Sequence, residues 1–241
     1  MCTLAIAWQV YDHAPVVVAA NRDESLSRPA SPPAVTGDDP RVLAPRDESA
    51  GGTWTGVTDA GFYVGITNRW SDLESERSRG RLVSDALRAG SVRDASALVE
   101  REVESRDYAG FNLVLADADD AVLLEWDGRL RATTLDPGVR VVTTTGAPDA
   151  AGRRERVREA LTARIPGTAA GFRGRAKRVL AARDVDACLH GAGYGTRSSS
   201  VITVADDRIT YEFAAGPPCR TPYRRVGGFE RERASRQDGH I

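Results

Sequence analysis

Residues 2–24 read CTLAIAWQVYDHAPVVVAANRDE, and the reading of this stretch decides the fold. Residues 2–10 and 16–20 are two apolar, β-branched runs, and YDHAP between them has the composition of a turn. Two such runs across a short turn make an antiparallel hairpin. With the turn centred near residues 11–14, partner numbers sum to roughly 24 or 25. That register sets Cys2 opposite Arg22 or Asp23. A thiol at the chain start then meets the charged run Asn21-Arg22-Asp23-Glu24, which closes the second strand.

Working outward, residues 28–49 are rich in Pro, Asp and Arg and read as a long surface loop. A second hairpin follows, with TWTGV (53–57) and FYVGITN (62–68) flanking a turn that carries Gly61. Residues 80–89 and 94–104 place apolar side chains at helical spacing, with Ser91 and Asp94 as caps. Strand-like runs occupy 111–117, 121–127, 129–135 and 140–145. Helices are expected over 150–164 and, as one or two helices, over 173–189, then strands over 198–206 and 208–216. The order lacks the βαβ alternation of a parallel sheet. It suits an α+β fold in which two antiparallel sheets pack together with helices outside. One domain over 1–220 and a polar tail over 221–241 are expected.

The chain has 241 residues, 41% of them hydrophobic, and a net charge of -1. That balance does not point to nucleic acid or an acidic membrane as partner. Arginine supplies almost all the positive charge, since Lys177 is the only lysine. No run approaches the ~20 apolar residues of a membrane span, and residues 1–10 lack the basic start of a signal peptide. The three cysteines, Cys2, Cys188 and Cys219, form no C-x-x-C pair. Neither a disulfide framework nor a zinc site is therefore expected, and a reducing, cytoplasmic compartment is the simplest reading.

Four features carry chemistry. Cys2 follows Met1, and its small side chain should permit removal of Met1. The exposed α-amine, with a pKa of about 8, would then take the thiol proton, so that one residue supplies nucleophile and base. The plain alternative is a small apolar residue in a buried strand. Asn21-Arg22-Asp23-Glu24 is the second feature: Arg22 would favour thiolate and Asp23 would orient the amine. Third come Gly51-Gly52-Thr53-Trp54 and Thr67-Asn68. There the glycines permit close backbone approach, and Asn68, or Asn112 on a later strand, would donate to an oxyanion. The fourth, Gly195-Thr196-Arg197-Ser198-Ser199-Ser200, could bind an anion through Arg197 and hydroxyls such as that of Ser198.

Met1-Cys2-Thr3, Ala20-Asn21-Arg22-Asp23-Glu24, Arg28-Pro29, Gly51-Gly52-Thr53-Trp54, Thr67-Asn68 and Tyr194-Gly195-Thr196-Arg197 occur in this order. The ordered set, spanning residues 1 to about 216, resembles the NRDE family (transport-and-Golgi-organization-protein-2-like). That family is in turn similar to N-terminal-nucleophile (Ntn) hydrolases of the choloylglycine hydrolase and penicillin V acylase kind. The resemblance implies a four-layer αββα sandwich. It implies Cys2 as nucleophile, Arg22 as thiol-activating cation, Asp23 as the partner of the amine, and Asn68 or Asn112 at the oxyanion. Asn21, Glu24, Trp54, Arg197 and Ser198 would be binding residues. In those hydrolases two residues separate the Arg from the Asp. Here the two are adjacent, and strand neighbours point to opposite faces unless a bulge after Ala20 intervenes. The implied function is hydrolysis of a small amide or acyl substrate. The alternative is a carrier for haem or acyl-CoA, since eukaryotic relatives are associated with haem trafficking, lipid handling and Golgi organisation. No cofactor is required; haem is a candidate bound ligand. For axial ligation, His13, His190 and His240 lie in loop, helix-end and tail positions.

Overall fold

The computed structural model describes residues 2–146 and 149–230. The chain opens with β1 (Thr3–Trp8) and β2 (Val16–Ser25), paired antiparallel with Thr3 opposite Asn21 and Trp8 opposite Val16. Continued by one residue, this register sets Cys2 level with Arg22. Next come β3 (Ala30–Thr36), β4 (Val42–Asp47), β5 (Thr55–Thr58) and β6 (Tyr63–Asn68), then α1 (Arg79–Ala89) and α2 (Val92–Ser105). Strands β7 (Phe111–Ala116), β8 (Ala121–Trp126), β9 (Leu130–Thr134) and β10 (Gly138–Thr143) precede α3 (Ala150–Thr162) and α4 (Ala169–Ala181). The described chain ends with β11 (Tyr194–Val204), β12 (Arg208–Ala214) and β13 (Arg224–Glu230).

The strands form two antiparallel sheets, ordered β10-β1-β2-β11-β12-β13 and β3-β4-β5-β6-β7-β8-β9. Period-two alternation decides what each face meets. In β1 and β2, Leu4, Ile6, Trp8, Val16 and Val18 face the second sheet, where they pack with Val57, Tyr63 and Val114. Ala5, Ala7, Val17 and Ala19 face the other way, onto Val157, Leu161, Phe172 and Leu180 of α3 and α4. Helices α1 and α2 cover the outer face of the second sheet through Leu82, Leu87, Val99 and Val103. The layers run helix, sheet, sheet, helix, the αββα sandwich of an α+β fold.

Three expectations are corrected. Residues 28–49 are not one long loop, because β3 and β4 lie within them. Pro32 and Pro33 masked this. The register shift between Ser31 and Ala34 accommodates both prolines on an edge strand, where no ladder donor is needed. The tail from 221 is not wholly polar coil: Arg224–Glu230 pairs with β12 as the edge of the first sheet, with Phe229 in the core. The remainder of that tail, from Arg231 with His240, lies outside the described residues. Finally, only the first part of the 173–189 region is helical. Helix α4 starts earlier, where the Thr168 hydroxyl accepts from the Gly171 amide at 3.1 Å, and ends at Ala181.

Candidate active site

Alternation along β1 and β2 also sorts the charged residues at their ends. Cys2 continues the inter-sheet face of Leu4 and Ile6; Arg22 and Glu24 continue that of Val18 and Ala20. Asn21 and Asp23 fall on the opposite face, toward α3 and α4. Both Asn21 amide bonds go to main-chain carbonyls there, Leu180 at 2.8 Å and Ala187 at 2.6 Å. The Asp23 carboxylate accepts from Arg153 Nη2 of α3 at 3.0 Å and from Thr196 Oγ1 at 2.6 Å. The register shift opposite this pair lies on β11, between Thr196 and Ser198, rather than after Ala20. Arg22 and Asp23 therefore remain on separate faces, and Asp23 meets the thiol through its backbone: Cys2 Sγ lies 3.9 Å from the Asp23 carbonyl oxygen.

Cys2 lines an open cleft of about 130 Å³ between the sheets. Arg22, Arg28, Arg79, Asn68, Trp54 and Glu24 also line it, and Ser78 and Gly80 bring the N-terminus of α1 to its wall. Gly52 makes that placement possible. With φ +82°, it sits so close to α1 that a Cβ would lie 2.2 Å from the Gly80 carbonyl oxygen. Thr53 N donates to the same oxygen at 2.9 Å. A helix N-terminus carries partial positive charge, so the cleft combines it with three guanidinium groups.

The arginines are held differently. Arg22 stacks on the Trp54 ring, 4.1 Å from its centroid, and donates to Asp47 Oδ2 at 3.4 Å. Burial lowers its pKa, while Glu24 and Asp47 offset part of that. Arg28 Nε donates to Asp47 at 2.8 Å. Arg79 Nη1 donates to the Gly110 carbonyl at 2.7 Å, and burial lowers its pKa too. Burial pushes the Cys2 thiol up and the Asp23 carboxylate adds to the rise, whereas Arg22 pulls it down.

The main chain of Cys2 is fixed by Thr144, the residue after β10. Cys2 N donates to Thr144 Oγ1 at 2.8 Å, and Thr144 N donates to the Cys2 carbonyl at 3.1 Å. Asn68 lines the cleft, but Asn112 does not. The Asn112 amide donates to Thr67 Oγ1, Thr143 O and Thr145 Oγ1 at 3.1 to 3.3 Å, tying β7 to the end of β10. Arg197 and Ser198 line an adjoining depression, which shares Arg22 and Trp54 with the cleft. Arg197 Nη2 donates to the Arg28 carbonyl at 3.2 Å. Sequence reasoning passed over Thr144, Arg153, Asp47 and Arg79. Only Arg153 left a signal, since Arg153, Val157 and Leu161 form one buried helical stripe.

No helix among the described residues is long and apolar enough to cross a membrane. Among solved structures, the fold is similar to a Caenorhabditis elegans N-acylethanolamine-hydrolyzing acid amidase ortholog. The TM-score is 0.62 at 14% identity, covering 83% of this chain and 92% of that one. It is also similar to a variant of the conjugated bile acid hydrolase from Clostridium perfringens, with TM-score 0.52 at 12% identity over 97% and 98%. The architecture is of Ntn-hydrolase type. In sequence, a Bos taurus transport and Golgi organization protein 2 homolog is 29% identical, covering 81% of this chain and 84% of the relative. The Homo sapiens homolog is 35% identical over 44% of this chain and 40% of its own length. The family model for transport and Golgi organisation 2 matches residues 1–169. The chain belongs to the transport and Golgi organisation 2 family.

Proposed function

We propose that the chain is an N-terminal cysteine hydrolase acting on the carbonyl of a small amide or acyl substrate. The carrying observation is the placement of Cys2: its thiol lines the cationic cleft while its main-chain nitrogen sits 2.8 Å from Thr144 Oγ1. Removal of Met1, which lies outside the described residues, turns that nitrogen into a free amine. Cys2 Sγ attacks the carbonyl carbon and the amine takes the thiol proton. The Asn68 amide and the N-terminus of α1 meet the developing oxyanion. The ammonium returns the proton to the leaving amine, and water then hydrolyses the thioester. Arg22 and Arg79 favour the thiolate and attract a negatively charged substrate. Asp23 and Asn112 are positioning residues in this scheme. The names of the two structural neighbours, an amidase and a bile acid hydrolase, support the same reaction class.

The alternative is a carrier for haem or acyl-CoA, in which the cleft arginines meet carboxylate or phosphate. The lining favours it less. Trp54 and Ile66 are the cleft's large apolar side chains among the described residues, and no histidine lines it. A porphyrin or long acyl chain would find little apolar surface there.

The test is hydrolysis of a panel of short N-acyl amides and aryl esters by wild-type protein and Cys2→Ala, alongside titration with haem and long-chain acyl-CoA. Turnover lost in Cys2→Ala is expected. Saturable binding of haem or acyl-CoA, weakened by Arg22→Ala and without turnover, would replace the hydrolase reading.

A further inference from the structure

Away from the Cys2 cleft, the fold gathers three soft donors that lie far apart in the sequence. Cys188 and His190 lie in the irregular run after α4, and Cys219 lies in the turn between β12 and β13. One ligand atom from each lies within 4.8 Å of the others. His190 Nε2 is 3.6 Å from Cys188 Sγ and 3.1 Å from Cys219 Sγ. A tetrahedral zinc ion, with Zn–S of about 2.3 Å and Zn–N of about 2.0–2.1 Å, sets nitrogen and sulfur about 3.6 Å apart. One pair already has that separation, and the other falls short by about half an ångström, within reach of the exposed Cys219 side chain.

The backbones that carry these groups are fixed without a metal. Cys188 N donates to Ala182 O at 3.0 Å, Thr196 N to Leu189 O at 3.0 Å, and Gly191 N to Tyr194 O at 2.9 Å. His190 is bridged to Gly195. Arg220 N and Thr221 N both donate to Pro217 O at 3.0 Å, closing the turn that holds Cys219. A site whose donors are placed in advance binds without the cost of ordering loops.

The donor set selects the ion. Two sulfurs and an imidazole suit zinc, whereas magnesium and calcium require oxygen ligands. Two thiolates balance a divalent charge, so the loaded site is neutral beside Arg183 and Arg220, whose charges reach His190. Cys188 is buried while His190 and Cys219 are exposed, so the ion enters from solvent.

We propose that Cys188, His190 and Cys219 form a zinc site with water in the fourth position, clamping the β12–β13 turn to the hairpin that leads into β11. The same hairpin carries Tyr194 and Thr196, whose hydroxyls donate to the Asp23 carbonyl at 2.9 Å and to its carboxylate at 2.6 Å. The clamp therefore braces the strand beside Cys2, although the site rests on its own three ligands and not on the hydrolase reading.

The experiment uses the full chain purified under reducing conditions, with bound zinc measured by atomic emission and Co²⁺ titrated into metal-stripped protein. One zinc per chain is expected, with a thiolate-to-cobalt charge-transfer band, tetrahedral d–d intensity and a higher Tm on loading. Cys219→Ser and His190→Ala should each weaken zinc binding at least ~10-fold with an unchanged circular dichroism spectrum, and Cys2→Ala should retain the metal. Three results would overturn the proposal: substoichiometric zinc with no charge-transfer band, zinc lost in Cys2→Ala, or a Cys188–Cys219 disulfide whose reduced form takes up no metal.

Discussion

Cys2 and Thr144 hold each other twice: the Cys2 nitrogen donates to the Thr144 hydroxyl at 2.8 Å, and the Thr144 nitrogen donates to the Cys2 carbonyl at 3.1 Å. The first bond fixes the nitrogen that becomes the base in the hydrolase mechanism. Thr144→Val removes that acceptor and keeps the side-chain volume. A lost bond to a charged donor is worth about 1.5–3 kcal/mol, which corresponds to roughly a 10- to 150-fold slower acylation of Cys2. Single-turnover acylation of the two proteins checks this. An unchanged rate would remove Thr144 from the mechanism.

Arg22 opposes the burial that raises the Cys2 thiol. In Arg22→Leu the pH profile of Cys2 alkylation should move to higher pH, because the thiolate loses a nearby cation and burial remains. The stack on Trp54 is lost as well, a cation–π contact of about 0.5–2 kcal/mol. Rates are followed on the peptide carrying Cys2, so that Cys188 and Cys219 do not contribute. A profile that stays in place would show that Arg22 does not act on the thiol.

Asp47 couples the cleft to acid stability. Burial opposes its charge, but the hydrogen bond from Arg28 and those from Ala50 N and Ser49 N outweigh it and hold the carboxyl below its ordinary range. A carboxylate whose pKa is depressed by folding stabilises the fold above the unfolded pKa of about 3.9. That contribution is lost as pH falls through the lower folded value. Asp47→Asn should therefore be less stable than wild type at pH 7, with the gap closing on acidification below about pH 4. Urea midpoints across this range measure it, and a gap that widens toward acid would contradict the assignment.

The Asp23–Arg153 pair is buried on both sides, with side chains 0% and 3% exposed. Asp23→Ala leaves the Arg153 charge uncompensated and should destabilise the fold by about 3–5 kcal/mol. Asp23→Ala with Arg153→Leu should recover a large part of that loss. Denaturant unfolding of the single and double variants reads the coupling. A single variant as stable as wild type would show that the pair does not support the strand end.

The β1–β2 register was legible because it needs only a turn centre and period two, and the same alternation explains why adjacent Arg22 and Asp23 divide between cleft and helix layer. Helix α2 was legible from its apolar spacing, and Ser91 does cap it, accepting from Asp94 N at 3.1 Å. Strand β3 was hidden because its two prolines read as loop when edge position is unknown. Strand β13 was hidden because its pairing depends on β12 rather than on its own polar composition. Site residues that arrive from distant elements left the weakest trace. Thr144 looks like any threonine in a run of three, and Asp47 lies in what reads as loop. The grouping of Cys188, His190 and Cys219 depends on how β13 folds back, which no local spacing encodes.

The most direct measurement is the intact mass of the purified chain before and after incubation with a 4-nitrophenyl ester, followed by peptide mapping. A mass lacking Met1, one added acyl group located on Cys2, and no such group in Cys2→Ala are expected. Full retention of Met1, or acylation confined to Cys188 and Cys219, would contradict it.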